Sequence, residues 1–180
     1  MELVTDINRI RELAGQKDDE NWRFRSFLKQ SELSIREMDA MVYRHLDEVS
    51  SQIDCCTCGN CCEVILPVLS SSDIKRLSRE LKVPAGEIID RYLIPSEDSD
   101  GQTFKSKPCP FLAEKRCTVY PSRPEACRSY PNLHKKEFVF RLIQVVHNCS
   151  ICPIAYNVFE RLKADLWRGR RRSRRRGLLE

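Results

Sequence analysis

The eight residues from Cys55 to Cys62 read Cys-Cys-Thr-Cys-Gly-Asn-Cys-Cys and hold five of the ten cysteines in the chain. Three of them, Cys55, Cys58 and Cys61, recur at every third position. A buried cysteine packs as a small hydrophobe, and a core gains nothing from such a strict spacing of thiols. A CxxC turn instead directs two thiolates to one metal ion, and Gly59 permits a turn that a Cβ would block. The spacing therefore predicts metal binding.

The composition favours a metal site over a disulfide framework. The chain has 180 residues, of which 41% are hydrophobic and 32% are charged, which is typical of one globular domain or one domain with appendages. It contains no apolar run long enough to span a membrane and no N-terminal pattern of a signal peptide. We therefore expect a cytoplasmic protein without a membrane span. In a reducing cytoplasm, clustered cysteines bind metal or catalyse reactions.

The positive charge is concentrated at the C-terminus. The net charge is +5, and residues 168–176 contain seven arginines, so subtracting their charges leaves the rest of the chain at −2. Such a run cannot bury apolar area and is typical of a disordered tail. Its physical use is to neutralise phosphates, either of nucleic acid or of an anionic membrane surface; the alternative is a solvated tail without a partner. The candidate contact residues are Arg170, Arg171, Arg172, Arg174, Arg175 and Arg176.

Hydrophobic periodicity predicts helices before the cysteine cluster. Apolar residues over 1–14 recur with a helical period, and Gly15 with the polar run 16–20 is expected to end that helix. A capping box that begins at Ser34 predicts a second helix over 35–53, which leads directly into the cysteines.

The segments after the cluster mix strand and helix patterns. The apolar stretch 63–69 predicts a strand, and Pro67 places it at a sheet edge. Ser70 is expected to cap a following helix. Residues 137–146 alternate in a way that predicts a strand, and 153–167 has the apolar face of a helix.

These elements predict an α+β fold, in which a small cysteine-rich domain is stabilised by metal and flanked by helices. We expect a helical N-terminal arm over residues 1–54, and a metal-binding domain with a C-terminal helix over 55–167. The Arg-rich tail occupies 168–180.

A second group of cysteines follows at longer spacing. Cys109, Cys117 and Cys127 are separated by prolines, which pre-set the backbone and lower the entropic cost of a loop around an ion. Cys149 and Cys152 form another CxxC pair. Two four-thiolate sites would use eight thiols, and the predicted ligands are Cys55, Cys58, Cys61, Cys62, Cys109, Cys117, Cys127, Cys149 and Cys152.

Four motifs follow one another in a specific order: Cys55-x-x-Cys58-Gly59-x-Cys61-Cys62, Cys109-Pro110-Phe111-Leu112, Cys117-x-Val119-Tyr120 and Arg123-Pro124-x-x-Cys127-Arg128-x-Tyr130-Pro131. In this order they resemble the YkgJ-type cysteine-cluster family of zinc- or iron-chelating domains, over residues 55–153. The resemblance implies a bacterial or archaeal cytoplasmic protein that chelates metal through cysteines. Related clusters accompany protein lysine methylation, which leaves a protein-modifying activity open.

The first hypothesis for the metal is an iron–sulfur cluster. Three thiolates at CxxCxxC spacing, with a later cysteine that precedes proline, echo the bacterial ferredoxin run. The ligands would be Cys55, Cys58 and Cys61 with one cysteine of the second group, and a redox activity would follow from the cluster. The adjacent residues Cys61 and Cys62 have diverging side chains, so we expect them to serve different sites or one of them to remain outside the coordination sphere.

The second hypothesis is structural zinc. The pair Cys55-x-x-Cys58 with Cys149-x-x-Cys152 would make a closed four-thiolate site without chemistry of its own. Metal binding would then contribute directly to folding. The protein would be an interaction module that recruits nucleic acid through its basic tail.

The sequence contains no motif of a familiar hydrolase or nucleotide-binding enzyme. It has no HExxH helix, no phosphate-binding glycine loop and no Ser/His/Asp series, and its six glycines are scattered. Arg123, Arg128 and Tyr130 lie between cysteines, where they contact an anionic substrate, hydrogen-bond the loop itself or offset thiolate charge. The sequence therefore predicts a site and assigns it no reaction.

Overall fold

The computed structural model describes residues 1–97 and 99–168. The arginines from Arg170 to Arg176, predicted to contact nucleic acid or an anionic surface, lie outside these described residues. The predicted α+β class is confirmed, because helices dominate and short strands form two small sheets. The chain divides into two units: Met1–Ile53 with Pro131–Glu180, called the helical unit, and Asp54–Tyr130, called the cysteine unit.

Helices account for most of the secondary structure along the described residues, and the strands are short. The helices are α1 Ile7–Gln16, α2 Asp18–Lys29, α3 Ile35–Ser50, α4 Cys55–Cys58, α5 Asn60–Val64, α6 Ser71–Leu81, α7 Ala85–Tyr92, α8 Glu125–Ser129, α9 Leu142–Asn148 and α10 Pro153–Lys163. The strands are β1 Val68–Leu69, β2 Leu93–Pro95, β3 Gln102–Phe104, β4 Leu112–Ala113 and β5 Arg116–Cys117. Short 3-10 turns cover Tyr120–Ser122 and Phe138–Arg141, and a π-helical turn over Ala164–Arg168 continues α10.

The helices predicted from capping and periodicity are present in the helical unit. Ser34 caps α3 as expected: its Oγ accepts from the Glu37 backbone N–H at 3.3 Å, and the Glu37 carboxylate accepts from the Ser34 N–H at 2.9 Å. The predicted C-terminal helix is also confirmed. Helix α1 ends at Gln16, within the segment predicted to end it, and the rest of that polar run begins α2.

The strand predicted over residues 137–146 is wrong, because this segment is helical. The Asp39 carboxylate accepts from the backbone N–H groups of Glu137 at 2.8 Å and Phe138 at 2.9 Å, so it caps the helical turn from a distant part of the chain. Phe138, Leu142 and Val145 are buried at helical spacing. The alternation along the segment therefore does not reflect strand periodicity.

A buried ionic network supplements the apolar core of the helical unit. The carboxylate of Glu160 on α10 accepts from Lys17 Nζ at 2.6 Å and from Lys163 Nζ at 2.7 Å. Lys163 is fully buried and also donates to Asn21 and Glu20. The buried apolar residues of this unit include Ile10, Phe24, Leu28, Met38, Val42, Val49, Phe138, Leu142, Val145, Val158, Phe159 and Leu162.

Within the two described ranges, no single helix is both long and apolar enough to cross a membrane. The helical segments Phe138–Asn148 and Pro153–Trp167 pass that test only as a pair, by length and composition, and they are bent by 120° at their break.

The cysteine unit has a small core between a sheet and two helices. The antiparallel sheet has the order β1-β3-β2, in which Val68 pairs with Thr103 and Leu93 pairs with Phe104. The strand predicted over 63–69 is only two residues long, because α5 continues to Val64, and its edge position is confirmed. The core contains Leu69, Ile74, Leu77, Ile88, Leu93, Phe104, Phe111 and Val119.

Candidate metal centre

The first cysteine segment forms two short helices joined by a left-handed glycine. Asp54 caps α4 by accepting from the Cys56 N–H at 2.8 Å, and Gly59 ends it with φ of 63°. A Cβ built on Gly59 would lie 2.7 Å from the carbonyl oxygen of Lys115. Only glycine fits this turn, which packs directly against the backbone of the β4–β5 hairpin.

The second strand of that hairpin carries Cys117, and Cys109 lies in the loop just before its first strand. Its two turn residues, Glu114 and Lys115, have φ of 48° and 63°, and such positive values are typical of a tight type I′ turn. The pairing places Leu112 opposite Cys117, while the Leu112 N–H donates to the Cys109 carbonyl at 3.0 Å. The Cys109 N–H in turn donates to the Cys62 carbonyl at 2.8 Å, which joins the first segment to the second.

Helix α6 holds the loop that leads to Cys127. Asp73 at its N-terminus accepts from the Glu125 N–H, the first residue of α8, at 3.0 Å. Arg76 donates to Asp73 at 2.5 Å and to the Arg123 carbonyl at 3.1 Å. These bonds fix the start of α8, on which Cys127 lies.

Hydrogen bonds stabilise the ionised form of Asp73. Burial opposes ionisation of this side chain, but hydrogen bonds from Ser70, Glu125 and Arg76 outweigh it and hold the pKa of Asp73 below its ordinary value. Further along α6, Glu80 accepts from the Ser122 hydroxyl at 2.8 Å. The cap at Ser70 is predictable from neighbouring residues. The contacts that α6 makes with the loop before α8 are not, because that loop lies about 50 residues further along the chain.

Four thiols from four separate segments are linked by their charges. Negative charge on Cys62 raises the pKa values of Cys109, Cys117 and Cys127. Cys117 also raises the pKa of Cys109, and Cys109 and Cys117 raise that of Cys127. Burial is the largest cause and raises the pKa of Cys109 to about 11 and that of Cys127 to about 12. We call Cys62, Cys109, Cys117 and Cys127 the thiol tetrad.

Hydrogen bonds to sulfur accompany the tetrad. The backbone N–H of Phe111 donates to the thiolate of Cys109, and that of Val119 donates to Cys117, so both bonds favour the charged form. A hydrogen bond from the Cys61 thiol, opposed by burial and helped by the charge of Arg123, lowers the pKa of Cys62 to about 7. Donors to sulfur are the usual surroundings of metal-bound thiolates.

Arg123 brings a positive charge to the thiols. Its guanidinium stacks 3.6 Å from the centre of the Tyr120 ring, and its Nη1 donates to the Tyr120 carbonyl at 3.2 Å. Its charge favours the thiolate forms of Cys62, Cys117 and Cys127. Burial and neighbouring thiolates oppose this effect, and the pKa values of Cys117 and Cys127 stay above their ordinary value. This side chain therefore offsets thiolate charge and hydrogen-bonds its own loop, and both roles are among those considered from the sequence.

The three other cysteines of the first segment form a more open group. Cys55 is exposed, while Cys56 and Cys58 are half-buried. Loss of hydration and then the charges of Cys58 and Cys56 raise the pKa of Cys55. The Tyr120 hydroxyl donates to Cys56, and this bond raises the pKa of Tyr120. Cys56, which no motif predicted as a ligand, thus has a partner of its own.

Cys149 and Cys152 belong to the helical unit. Cys149 is buried, and its Sγ donates to the Val145 carbonyl at 3.2 Å. Burial raises the pKa of Cys149. Cys152 is the N-cap residue of α10, directly before Pro153. Their predicted role as ligands stays a prediction.

All ten cysteines lie within the described residues, and none of them forms a disulfide. Among those same residues, no three or more His, Cys, Asp or Glu side chains stand close enough together to hold a metal ion. The charges of the tetrad thiols act on one another, but their sulfur atoms are not arranged around a single metal position. The donor set itself, four thiols with N–H and guanidinium neighbours, fits a soft metal such as zinc or iron.

Comparison with known proteins agrees with this chemistry. Residues 54–152 match the model of a protein family described as "CxxCxxCC: Putative zinc- or iron-chelating domain". An uncharacterized protein of Methanocaldococcus jannaschii is 31% identical over 80 residues, which are 43% of this chain and 43% of that protein. The alignment therefore spans less than half the length of that relative. No solved structure matches the chain.

Proposed function

The chain belongs to the CxxCxxCC family of zinc- or iron-chelating domains, and we propose that the thiol tetrad is where it holds its metal. The backbone bond from the Cys109 N–H to the Cys62 carbonyl, with the effect of charge on Cys62 on the pKa values of Cys109, Cys117 and Cys127, supports the proposal. Their number and type match the four-thiolate sites that bind zinc, or a single iron, tetrahedrally.

The tetrad also explains why the cysteine unit needs a ligand. Cys62 lies on α5, Cys109 lies in the loop just before β4, Cys117 lies on β5 and Cys127 lies on α8. Burial and mutual repulsion oppose four thiolates at one place, and a divalent cation removes that repulsion. The metal would therefore join segments that share only a small apolar core, so that metal binding becomes folding energy.

A second candidate function is a redox centre at Cys55, Cys58 and Cys61. The exposure of Cys55 favours it, because an exposed cluster can exchange electrons with a partner. The iron–sulfur hypothesis drawn from the CxxCxxC spacing would then apply to Cys55, Cys58 and Cys61, with one of Cys109, Cys117 or Cys127 as the fourth ligand in place of its role in the tetrad. No substrate or modifying reaction is assigned.

Three further expectations remain proposals. The ligand roles of Cys149 and Cys152 in a zinc site rest on their CxxC spacing alone. Nucleic-acid binding by the arginine tail rests on its charge, and a cytoplasmic location remains an expectation from the sequence alone.

The deciding experiment is metal analysis of full-length protein purified without oxygen, with acid-labile sulfide and a visible spectrum. Colourless protein with one zinc or iron per chain and no sulfide supports the tetrad alone. Brown protein with iron and sulfide in matching amounts supports the second centre.

Serine variants separate the groups of thiols. We expect Cys127→Ser to abolish binding of the single ion, whereas Cys56→Ser, the matched control in the same unit, leaves the metal content unchanged. Loss of that ion from Cys149→Ser with full retention in Cys127→Ser would reject the tetrad in favour of the CxxC pairs.

A further inference from the structure

Two segments of the cysteine unit each contact both the tetrad and the more open thiols. We call the latter, Cys55, Cys56 and Cys58, the open group. The first segment carries Cys56 before the left-handed Gly59 and Cys62 of the tetrad after it. The second segment runs from Cys117 of the tetrad to Tyr120, whose hydroxyl donates to Cys56. The open group and the tetrad are therefore linked in two places.

The packing of α4 against β5 brings the two groups of thiols together. Helix α4 holds the open group, and β5 ends at Cys117. Where α4 ends, Gly59 leaves no room for a methyl group beside the backbone of Lys115, directly before β5. In agreement with this contact, negative charge on Cys56 contributes to the raised pKa of Cys117. Cys56 is thus a member of the open group that acts on the tetrad.

Cys55 gives this pair of groups an exposed end. It is exposed at the start of α4, whereas Cys56 is half-buried. Side chains of adjacent residues diverge, so Cys55 and Cys56 do not enclose one ion between them. One of them faces solvent and the other lies beside the tetrad, which suits the passage of an ion better than its storage.

Two contacts hold Tyr120 in place against Cys56. The guanidinium of Arg123 stacks 3.6 Å from the centre of the Tyr120 ring and donates to the Tyr120 carbonyl at 3.2 Å. Tyr120 also begins the 3-10 turn that ends at Ser122, whose N–H donates to the Val119 carbonyl at 2.9 Å. The hydroxyl is therefore fixed beside a thiol that no motif assigns to the metal.

We propose that Cys56 is a transfer ligand, which receives a metal ion from Cys55 and passes it to Cys117 of the tetrad. This inference rests on the proposed function of the tetrad. Zinc sites can expand from four to five ligands, so an additional thiol beside the tetrad bonds before a bond to the tetrad breaks. Direct exchange between thiols avoids release of the ion into water.

Each step exchanges ligands and moves no electrons. On entry, the thiols of Cys55 and Cys56 replace water ligands of the ion and release their protons to the solvent. At the tetrad, the Cys117 thiol loses its proton as its bond to the ion forms. The bond to Cys56 then breaks, and the Cys56 thiolate takes up a proton again. The Tyr120 hydroxyl stabilises that thiolate, because donors to sulfur disperse its charge.

The test measures zinc exchange in the full-length protein loaded with zinc, because release follows the entry path in reverse. An enriched zinc isotope is added in excess, and mass spectrometry of the desalted protein follows its incorporation. We expect Cys56→Ser to keep its full zinc content and to exchange about tenfold more slowly, the scale of one lost interaction at a metal site. Cys56→His, which restores a ligand for zinc, should recover most of the rate.

The hydroxyl of Tyr120 is tested in the same way. Tyr120→Phe should slow exchange roughly three- to tenfold, the effect of one hydrogen bond. The matched control is Tyr92→Phe, which removes a hydroxyl from the same unit and keeps the ring that packs on Phe111 at 5.1 Å; its exchange rate should not change. A merely structural role for Cys56 would give the opposite sign, because a loosened site releases its ion faster.

Three outcomes would overturn the proposal. Cys56→Ser that exchanges zinc as fast as wild type, or faster, would remove Cys56 from the path. Loss of zinc from Cys56→Ser would make Cys56 a permanent ligand. Brown protein with an iron–sulfur cluster at Cys55, Cys58 and Cys61 would mean that the open group is already occupied. The zinc content of Cys127→Ser decides the proposed function separately, because that variant retains Cys56.

Discussion

The two units of this protein solve the problem of buried polar groups in opposite ways. In the helical unit, the buried carboxylate of Glu160 is matched by Lys17 and Lys163 from its own chain. In the cysteine unit, burial and the charges of Cys62, Cys109 and Cys117 oppose ionisation of Cys127, and no described cation offsets them fully. The first arrangement is complete in the protein alone, while the second is one that the proposed metal would stabilise.

The helices that carry cysteines in the cysteine unit are short, although α6 and α7 of the same unit have 11 and 8 residues. Helices α1, α2 and α3 have 10, 12 and 16 residues, whereas α4, α5 and α8 have four or five. Helices of one turn and strands of two residues are not stable without strong tertiary contacts. We therefore expect the stability of the cysteine unit to depend on its metal far more than that of the helical unit.

The largest effect should follow removal of the metal. Structural zinc contributes roughly 10–16 kcal/mol to folding in small zinc-dependent domains, so a strong chelator should unfold residues 54–130 and leave the helical unit intact. Hydrogen exchange by mass spectrometry would show fast exchange in 54–130 and slow exchange in α3 and α10. Equal protection in both units after complete metal loss would contradict the comparison.

In the helical unit, the largest effect should come from Glu160→Gln. The substitution leaves the fully buried ammonium of Lys163 without its closest charge partner, and breaking one side of a buried ion pair costs about 3–5 kcal/mol. Urea unfolding measures the loss. Glu12→Gln is the control: Glu12 pairs with Arg9 on the surface at 2.6 Å, so its loss should cost less than about 1 kcal/mol. Similar losses in the two variants would show that the network is not stabilising.

Two glycines provide the next contrast. Gly59→Ala puts a Cβ into a left-handed residue that touches the Lys115 backbone, and we expect a loss of at least about 2 kcal/mol in the cysteine unit. Gly15→Ala fills open space near the end of α1, where alanine is the better helix former by about 1 kcal/mol. Thermal melts of the metal-bound variants should show a lower Tm for Gly59→Ala and a higher Tm for Gly15→Ala. A Tm for Gly59→Ala that is not lowered would show that the turn at Gly59 is not tight.

A smaller effect is expected for Asp73→Asn. Losing the charge weakens the bonds to Ser70, Arg76 and Glu125, at a cost of about 2 kcal/mol. Because the folded pKa of Asp73 lies below its unfolded value, its contribution is present above about pH 4 and is lost as the pH falls below that. The gap between wild type and variant in unfolding free energy should therefore shrink in acid, and a gap independent of pH would show that the charge is not the cause.

The sequence is most informative where structure depends on neighbouring residues. The caps at Ser34 and Ser70 were predictable, because donor and acceptor lie three residues apart. The prediction for 137–146 is wrong, because Asp39, the residue that caps this segment, lies about 100 positions earlier. Metal binding was predictable from spacing in the first cysteine segment, whereas the grouping of Cys62 with Cys109 depends on a backbone bond across the unit.

The contact between Gly59 and Lys115 has a practical consequence for anyone who engineers this chain. A two-residue hairpin turn is ordinarily a good place for an inserted tag or a spliced domain, because turn tips face solvent. Here the tip is pressed against another turn with no room for a single methyl group. An insertion between Glu114 and Lys115 would force apart the two segments that carry Cys62 and Cys117, so this turn is the wrong place to open the chain.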